Sequence, residues 1–275
     1  MNLIKIEFSQ NRVFGLDILR AIAILFVVYD HGIHIFNDYM TKKILSLPVL
    51  DGVSIFFVLS GFLIGGILIK IVDTKALNLS TLVEFWKRRW FRTLPNYVLI
   101  LIVTWTALGG GGFTDFIRYL FFFQNLNAPH PSFFPEAWSL SVEEWFYLLV
   151  PIGLFVALRI GIKHQSAILT LIISIIVASL FIRYYKFYTY EIEALSTLDI
   201  IFRKQVICRM DSIMFGVFGA YLNYYHCDLW LRHKMGCMLL GVALLLLHKL
   251  SFLLIDPLNF EFNVYYCVYS FLVSS

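Results

Sequence analysis

Apolar residues come in long runs separated by short polar stretches. The runs lie at about 14–36, 48–72, 94–108, 138–160, 164–184, 206–225, 235–255 and 262–275. A helix rises about 1.5 Å per residue, so about 20 residues cross a bilayer core of about 30 Å. The pattern predicts an all-α fold, a polytopic integral membrane bundle with about eight spans. Two runs are short. The third opens near Pro95 and either reaches back through Trp90 and Phe91 or lies tilted or at the interface. The last, 262–275, ends before a span is complete, which predicts a chain truncated at its C-terminus.

Polar residues inside these runs carry the next signal. The first run, FGLDILRAIAILFVVYDHGIHIF, holds Asp17, Arg20, Asp30, His31 and His34. An ionised group at mid-membrane costs about 3 kcal/mol or more, so such groups face a polar interior. Eleven residues at about 100° each bring Arg20 and His31 within ~20° of one face, ~16 Å apart along the axis. Asp17 falls within ~60° of both. Asp30 points away. One reading is structural: Asp17 and Arg20, at i,i+3, neutralise each other. The other makes His31 a general base or a transient acyl carrier, since imidazole takes a proton near neutral pH.

Three further groupings stand out. Lys87, Arg88, Arg89 and Arg92 lie between the second and third runs. Lys87 and Arg88 suit plain positive-inside anchoring. Arg89 and Arg92, at i,i+3, share a face and make a fork for phosphates. In Trp138–Glu144, WSLSVEE, Ser139 or Ser141 suits a helix cap, with Glu143 and Glu144 favoured by the dipole. A carboxylate there also suits holding a sugar hydroxyl at the mouth of a span. Arg209 and Asp211 sit two apart in the sixth run and cannot face each other, so each needs a partner elsewhere.

Composition agrees with the runs. Of 275 residues, 60% are hydrophobic and 15% charged, far from the soluble average. The net charge of +4 is diffuse and points to no nucleic-acid partner. Lys and Arg favour the side that holds the N-terminus and the 85–92 cluster, which predicts a cytoplasmic N-terminus. Four cysteines without a CxxC pair suggest inert thiols, and no metal site is expected. Gly109–Gly112 lacks a following Gly-Lys-Ser/Thr and reads as a span exit. The stretch from there to 137, rich in aromatics, suits an interfacial or re-entrant segment.

In order along the chain, these motifs resemble the bacterial membrane acyltransferase-three family. Arg20, ten residues, then His31 is similar to that family's first span. FFVLSGFL at 56–63 is similar to its second. Arg89-x-x-Arg92 matches the pair in its second-to-third connection, WSLSVE at 138–143 its fourth-span signature, and Arg209-x-Asp211 with Gly216 a later pattern. Five ordered matches cover about 200 residues.

The resemblance implies about ten spans and one membrane acyltransferase domain over 1–275, in a bacterial cytoplasmic (inner) membrane. It implies an acyl-CoA donor, acetyl-CoA by default, with no permanently bound cofactor. The acceptor would be a hydroxyl of an extracytoplasmic glycan, peptidoglycan or lipid-linked saccharide. Arg89 and Arg92 would hold the donor phosphates on the cytoplasmic side. Asp17, Arg20 and His31 would carry the chemistry. Trp138, Ser139, Glu143, Arg209 and Asp211 would shape the acceptor side or brace it. A proton-coupled glycan or lipid transporter or flippase would also keep Asp, Arg and His inside the membrane. So would a non-catalytic partner in envelope assembly, although such a protein has no need of His31.

Overall fold

The computed structural model describes residues 13–33, 35–36, 38, 41, 45, 50–74, 77–190 and 199–254. These residues form eight α-helices and one π-helical turn, with no strand. The helices are α1 (Phe14–Ile33), α2 (Gly52–Thr74), α3 (Leu79–Leu108), α4 (Phe113–Leu120), α5 (Ala137–Arg159), α6 (His164–Thr189), α7 (Val206–Tyr225) and α8 (Cys227–Leu254), with the π turn at Asp199–Arg203. Helices α2, α3, α5, α6 and the 227–247 part of α8 are long and apolar enough to cross a membrane. Helices α1 and α7 are the two 20-residue helices that carry the internal charges. The 262–275 run lies outside the described residues.

The centre of the bundle is the crossing of α2 and α7. Helices in lipid gain little from apolar burial against one another, so close backbone approach has to hold them. Gly61 and Gly65 on α2 and Gly216 on α7 provide it. A Cβ on Gly61 would overlap the Ile213 carbonyl, and one on Gly216 would overlap the Val58 carbonyl. A Cβ on Gly65 would stand 3.0 Å from the Val217 Cα. The glycines of two separate sequence motifs therefore meet each other. Helices α5 and α6 complete the core, with Phe57, Ile64, Val142, Phe146, Ile172 and Ile213 buried together. At one end Asp73 ties three helices, accepting from the Tyr225 hydroxyl at 3.0 Å and lying 3.5 Å from His164.

Helix α3 decides between the two readings of the third run: the segment is not short, and it reaches back through Trp90 and Phe91 as far as Leu79. It is one continuous helix of 30 residues, about 45 Å long. Asn78 caps it in a reciprocal box with Thr81, and Gly109, at φ 66, ends it in the left-handed conformation. The cluster of Lys and Arg broke the hydropathy pattern without breaking the helix. No Gly or Pro stands between residues 79 and 94, and lysine and arginine are good helix formers. Arg89 and Arg92 thus lie within a helix, not in a connection. Pro95 removes one backbone bond inside it.

Beyond α3, α4 and residues 121–136 fold back over the second half of α3. Tyr97, Tyr119 and Phe122 are buried there against Trp105, Phe133 and Phe134. Tyr97 donates to the Tyr119 carbonyl at 2.8 Å, and the Trp145 indole donates to the Phe122 carbonyl at 2.9 Å.

Candidate functional site

Three of the sequence motifs meet between α2, α3 and α5. The Ser60 hydroxyl on α2 lies 3.0 Å from the Tyr147 hydroxyl on α5, and Tyr147 donates to Glu143 Oε2 at 3.2 Å. The Trp86 indole of α3 donates to the Tyr147 carbonyl at 2.9 Å, which locks α3 onto α5 at this level. Glu143 is within electrostatic reach of both Arg92 and Arg89. Arg89 is half-buried, with its guanidinium 5.9 Å from the Phe85 ring centre. Arg92 is exposed. Glu144 turns the other way, buried beside the Trp90 indole. Neither Ser139 nor Ser141 caps α5. Their hydroxyls donate back to the carbonyls of Glu136 (3.4 Å) and Ala137 (3.0 Å), because the helix already begins ahead of them.

Arg89 also lines a groove of about 320 Å³ between the end of α2 and the start of α3. Lys70 and Thr74 line it from α2, and Thr81, Glu84, Phe85 and Arg88 from α3. Arg92 does not line it.

A second polar cluster lies at the opposite end of α2. Asp51 caps that helix, accepting from the backbone N–H groups of Val53 (3.1 Å) and Ser54 (3.3 Å). Arg203 donates to both Asp51 oxygens at 3.2 and 3.1 Å, and Arg209 donates to Asp51 at 3.4 Å and to the Ser54 hydroxyl. Burial opposes ionisation of Asp51, but the two guanidiniums outweigh it and hold the carboxyl far below the usual carboxylate range. The Arg203 guanidinium also sits 5.0 Å over the Trp138 ring. Trp138 and Arg209 are thereby joined through Asp51 and Arg203. Asp211 faces away from this cluster and takes Arg183 of α6 at 2.7 Å.

Helix α1 stands at the edge and packs on α2. A Cβ on Gly52 would come within 2.5 Å of the Ala23 carbonyl, so the two backbones touch there. Asp17 and Arg20 form an ion pair at 2.9 Å. His31 lies beyond the crossing, at the Asp51 end of the bundle, on an exposed face of α1. Its Nδ1 is 2.7 Å from the Val27 carbonyl. A carbonyl only accepts, so this contact places the hydrogen on Nδ1 and leaves the Nε2 lone pair open. The bonds of Arg20 and His31 run within α1, to Asp17 and to the Val27 carbonyl.

Sequence reasoning overlooked Asp51, Arg183, Arg203 and His130. Asp51-Gly52 ahead of an apolar run is a legible helix-start signal. Arg183 inside an apolar run is the kind of residue that marks a buried partner. His130, 8% exposed, donates through Nδ1 to the Pro131 carbonyl, 2.7 Å away. Burial drives its pKa down to about 4, although the Pro131 contact pulls upward. The unfolded chain, with a histidine near its ordinary value of 6.5, binds more protons between those values. Folding stability is therefore expected to fall as pH drops from about 6.5 to about 4. Thermal unfolding of the detergent-solubilised protein across that range checks this. His130→Gln should flatten the slope, and an unchanged slope would assign it to other groups.

Comparison with known proteins places these residues in a family. The chain is 31% identical to the peptidoglycan O-acetyltransferase OatA of Listeria monocytogenes in a 188-residue alignment covering 62% of this chain and 28% of that protein. It is 31% identical over 184 residues to the O-acetyltransferase OatA of Staphylococcus aureus (strain NCTC 8325 / PS 47), covering 60% and 28%. A Staphylococcus aureus (strain COL) protein named as a candidate O-acetyltransferase is 33% identical over 171 residues, covering 56% and 26%. The chain thus spans little more than a quarter of these relatives' length. No solved structure matches. The model of the acyltransferase domain family matches from residue 13 to residue 275, and the chain, with its membrane-length helices and ordered motifs, belongs to that acyltransferase family.

Proposed function

We propose that this chain moves an acyl group, most simply acetyl, from cytoplasmic acyl-CoA to a hydroxyl of an extracytoplasmic glycan. The observation that carries the reading is the position of Arg89. It lines a groove that holds three cations and one carboxylate, Glu84, and is within electrostatic reach of Glu143 and Tyr147 in the Ser60–Tyr147–Glu143 chain inside the bundle. A thioester donor needs such a place: cations for its phosphates at one end and a path inward for its acyl arm. Arg92 adds positive charge near Glu143. On the orientation expected from Lys and Arg, the groove opens to the cytoplasm, while His31, Trp138 and Arg209 lie toward the outside.

In this reading His31 Nε2 takes the proton of the acceptor hydroxyl. The oxygen attacks the thioester carbonyl, the carbon–sulfur bond breaks, and the proton passes to the CoA thiolate. Alternatively the acyl group rests on Nε2 before the hydroxyl takes it. Arg20, paired with Asp17, sits deeper on the same side of α1 and orients the thioester. Trp138, Ser139 and Glu143 border the acceptor route. The Listeria relative is named for peptidoglycan, so peptidoglycan fragments are the first acceptors to try.

The test is acyl transfer by the protein reconstituted in liposomes, with labelled acetyl-CoA on one side and peptidoglycan fragments on the other. Glycan movement without consumption of acetyl-CoA would make the chain a transporter instead. Arg89→Ala is expected to weaken acetyl-CoA binding by about tenfold or more, the scale of a charge-assisted hydrogen bond. Unaltered binding would reduce Arg89 to an anchor.

A further inference from the structure

We infer that Lys70 of α2 is the second cation of the donor site, holding a phosphate across the groove from Arg89. The inference rests on the donor reading above and adds to it a residue on a different helix, outside the five motifs.

The groove between α2 and α3 offers three cations: Lys70, Arg88 and Arg89. Their commitments differ. Arg88 is paired with Glu84, one turn back on the same helix, so its charge is already answered. Arg89 is half-buried against Phe85 and lies within electrostatic reach of Glu143 and Tyr147. Lys70 is exposed and makes no ion pair among the described residues. The hydroxyls nearby are already spent: Thr74 donates to the Lys70 carbonyl at 2.6 Å, and Thr81 donates to the Asn78 carbonyl at 2.8 Å. The uncommitted donor on the α2 wall is therefore the Lys70 ammonium.

The shape agrees. About 320 Å³ is at the lower end for small-molecule sites, enough for the phosphate-bearing head of a nucleotide but not for a whole acyl-CoA. Ile71 and Phe85 give the same groove apolar walls. Coenzyme A carries a diphosphate and a separate ribose phosphate. Two cations on facing helices can hold two such groups at once, whereas Arg89 and Arg92, on one helix, leave the α2 wall unused. A ligand anion bridging Lys70 and Arg89 also ties the end of α2 to the start of α3.

A lysine beside a groove near a membrane surface can equally hold the phosphate of an anionic lipid, and the experiment separates the two sources. The full chain is placed in nanodiscs of phosphatidylcholine alone or with phosphatidylglycerol, and the binding of coenzyme A and of 3′-dephospho-coenzyme A is measured. Lys70→Gln is expected to weaken coenzyme A about tenfold in both lipids, Lys70→Arg to keep most of the affinity, and Arg92→Gln to weaken it less than Lys70→Gln. Wild-type affinity in Lys70→Gln, alongside a loss in Arg89→Ala, would overturn the role of Lys70 and leave the donor reading standing. An effect confined to phosphatidylglycerol nanodiscs would give Lys70 to the lipid and overturn it as well. If Arg89→Ala also bound normally, the donor reading itself would fall.

Discussion

His31→Ala is expected to cut acyl transfer by about 10²–10⁴-fold, the usual contribution of a positioned general base, while acetyl-CoA binding stays within twofold of wild type. The separation follows from the layout. His31 sits at the Asp51 end of the bundle, and the cation-lined groove lies at the other end of α2. The Val27 carbonyl fixes the imidazole through Nδ1. Alanine removes the Nε2 lone pair and leaves α1 seated on α2 through Ala23 and Gly52, so the fold should survive. A quenched single turnover with labelled acetyl-CoA distinguishes the two chemistries. Label retained on wild-type protein and absent from His31→Ala supports an acyl-histidine, and label passing directly to the acceptor supports a base. Full transfer by His31→Ala would remove this residue from the mechanism altogether.

The parts of this arrangement that depend on helical periodicity were legible in the sequence. Arg209 and Asp211 are two apart, so they had to face different neighbours, and they do: one turns to Asp51 and Ser54, the other to Arg183. The apolar run at 206–225 coincides with α7. Asp17 and Arg20 pair as their i,i+3 spacing allows. The identity of long-range partners was not legible. Asp51 and Arg203 are 152 residues apart, and a single sequence carries no periodic signal that joins them. Each alone reads as something ordinary, a helix cap and a loop cation. The start of α3 was lost for a different reason. Hydropathy sees charge, not helicity, and the Asn78–Thr81 capping box was the signal that would have placed it. The groove depends on the side-by-side packing of α2 and α3, so Lys70 gave no sign of its position.

Asp211→Ala is expected to cost about 3–5 kcal/mol of stability. Arg183 and Asp211 are 2% and 0% exposed, and their 2.7 Å contact joins α6 to α7, the helix on which α2, α5 and α8 also pack. Alanine takes the carboxylate away from a guanidinium in a dry interior, one that also donates to the Cys208 carbonyl. Removing one partner of a buried pair costs more than the pair itself contributed, because both desolvation penalties were accepted together. For the same reason the double replacement Arg183→Met with Asp211→Leu should be less harmful than Asp211→Ala alone. Detergent thermostability of the three variants measures the order. If the double variant were the least stable, the pair would be contributing strongly in its own right. If Asp211→Ala kept wild-type stability and lost only transfer, Asp211 would belong to the acceptor machinery and not to the frame that holds it.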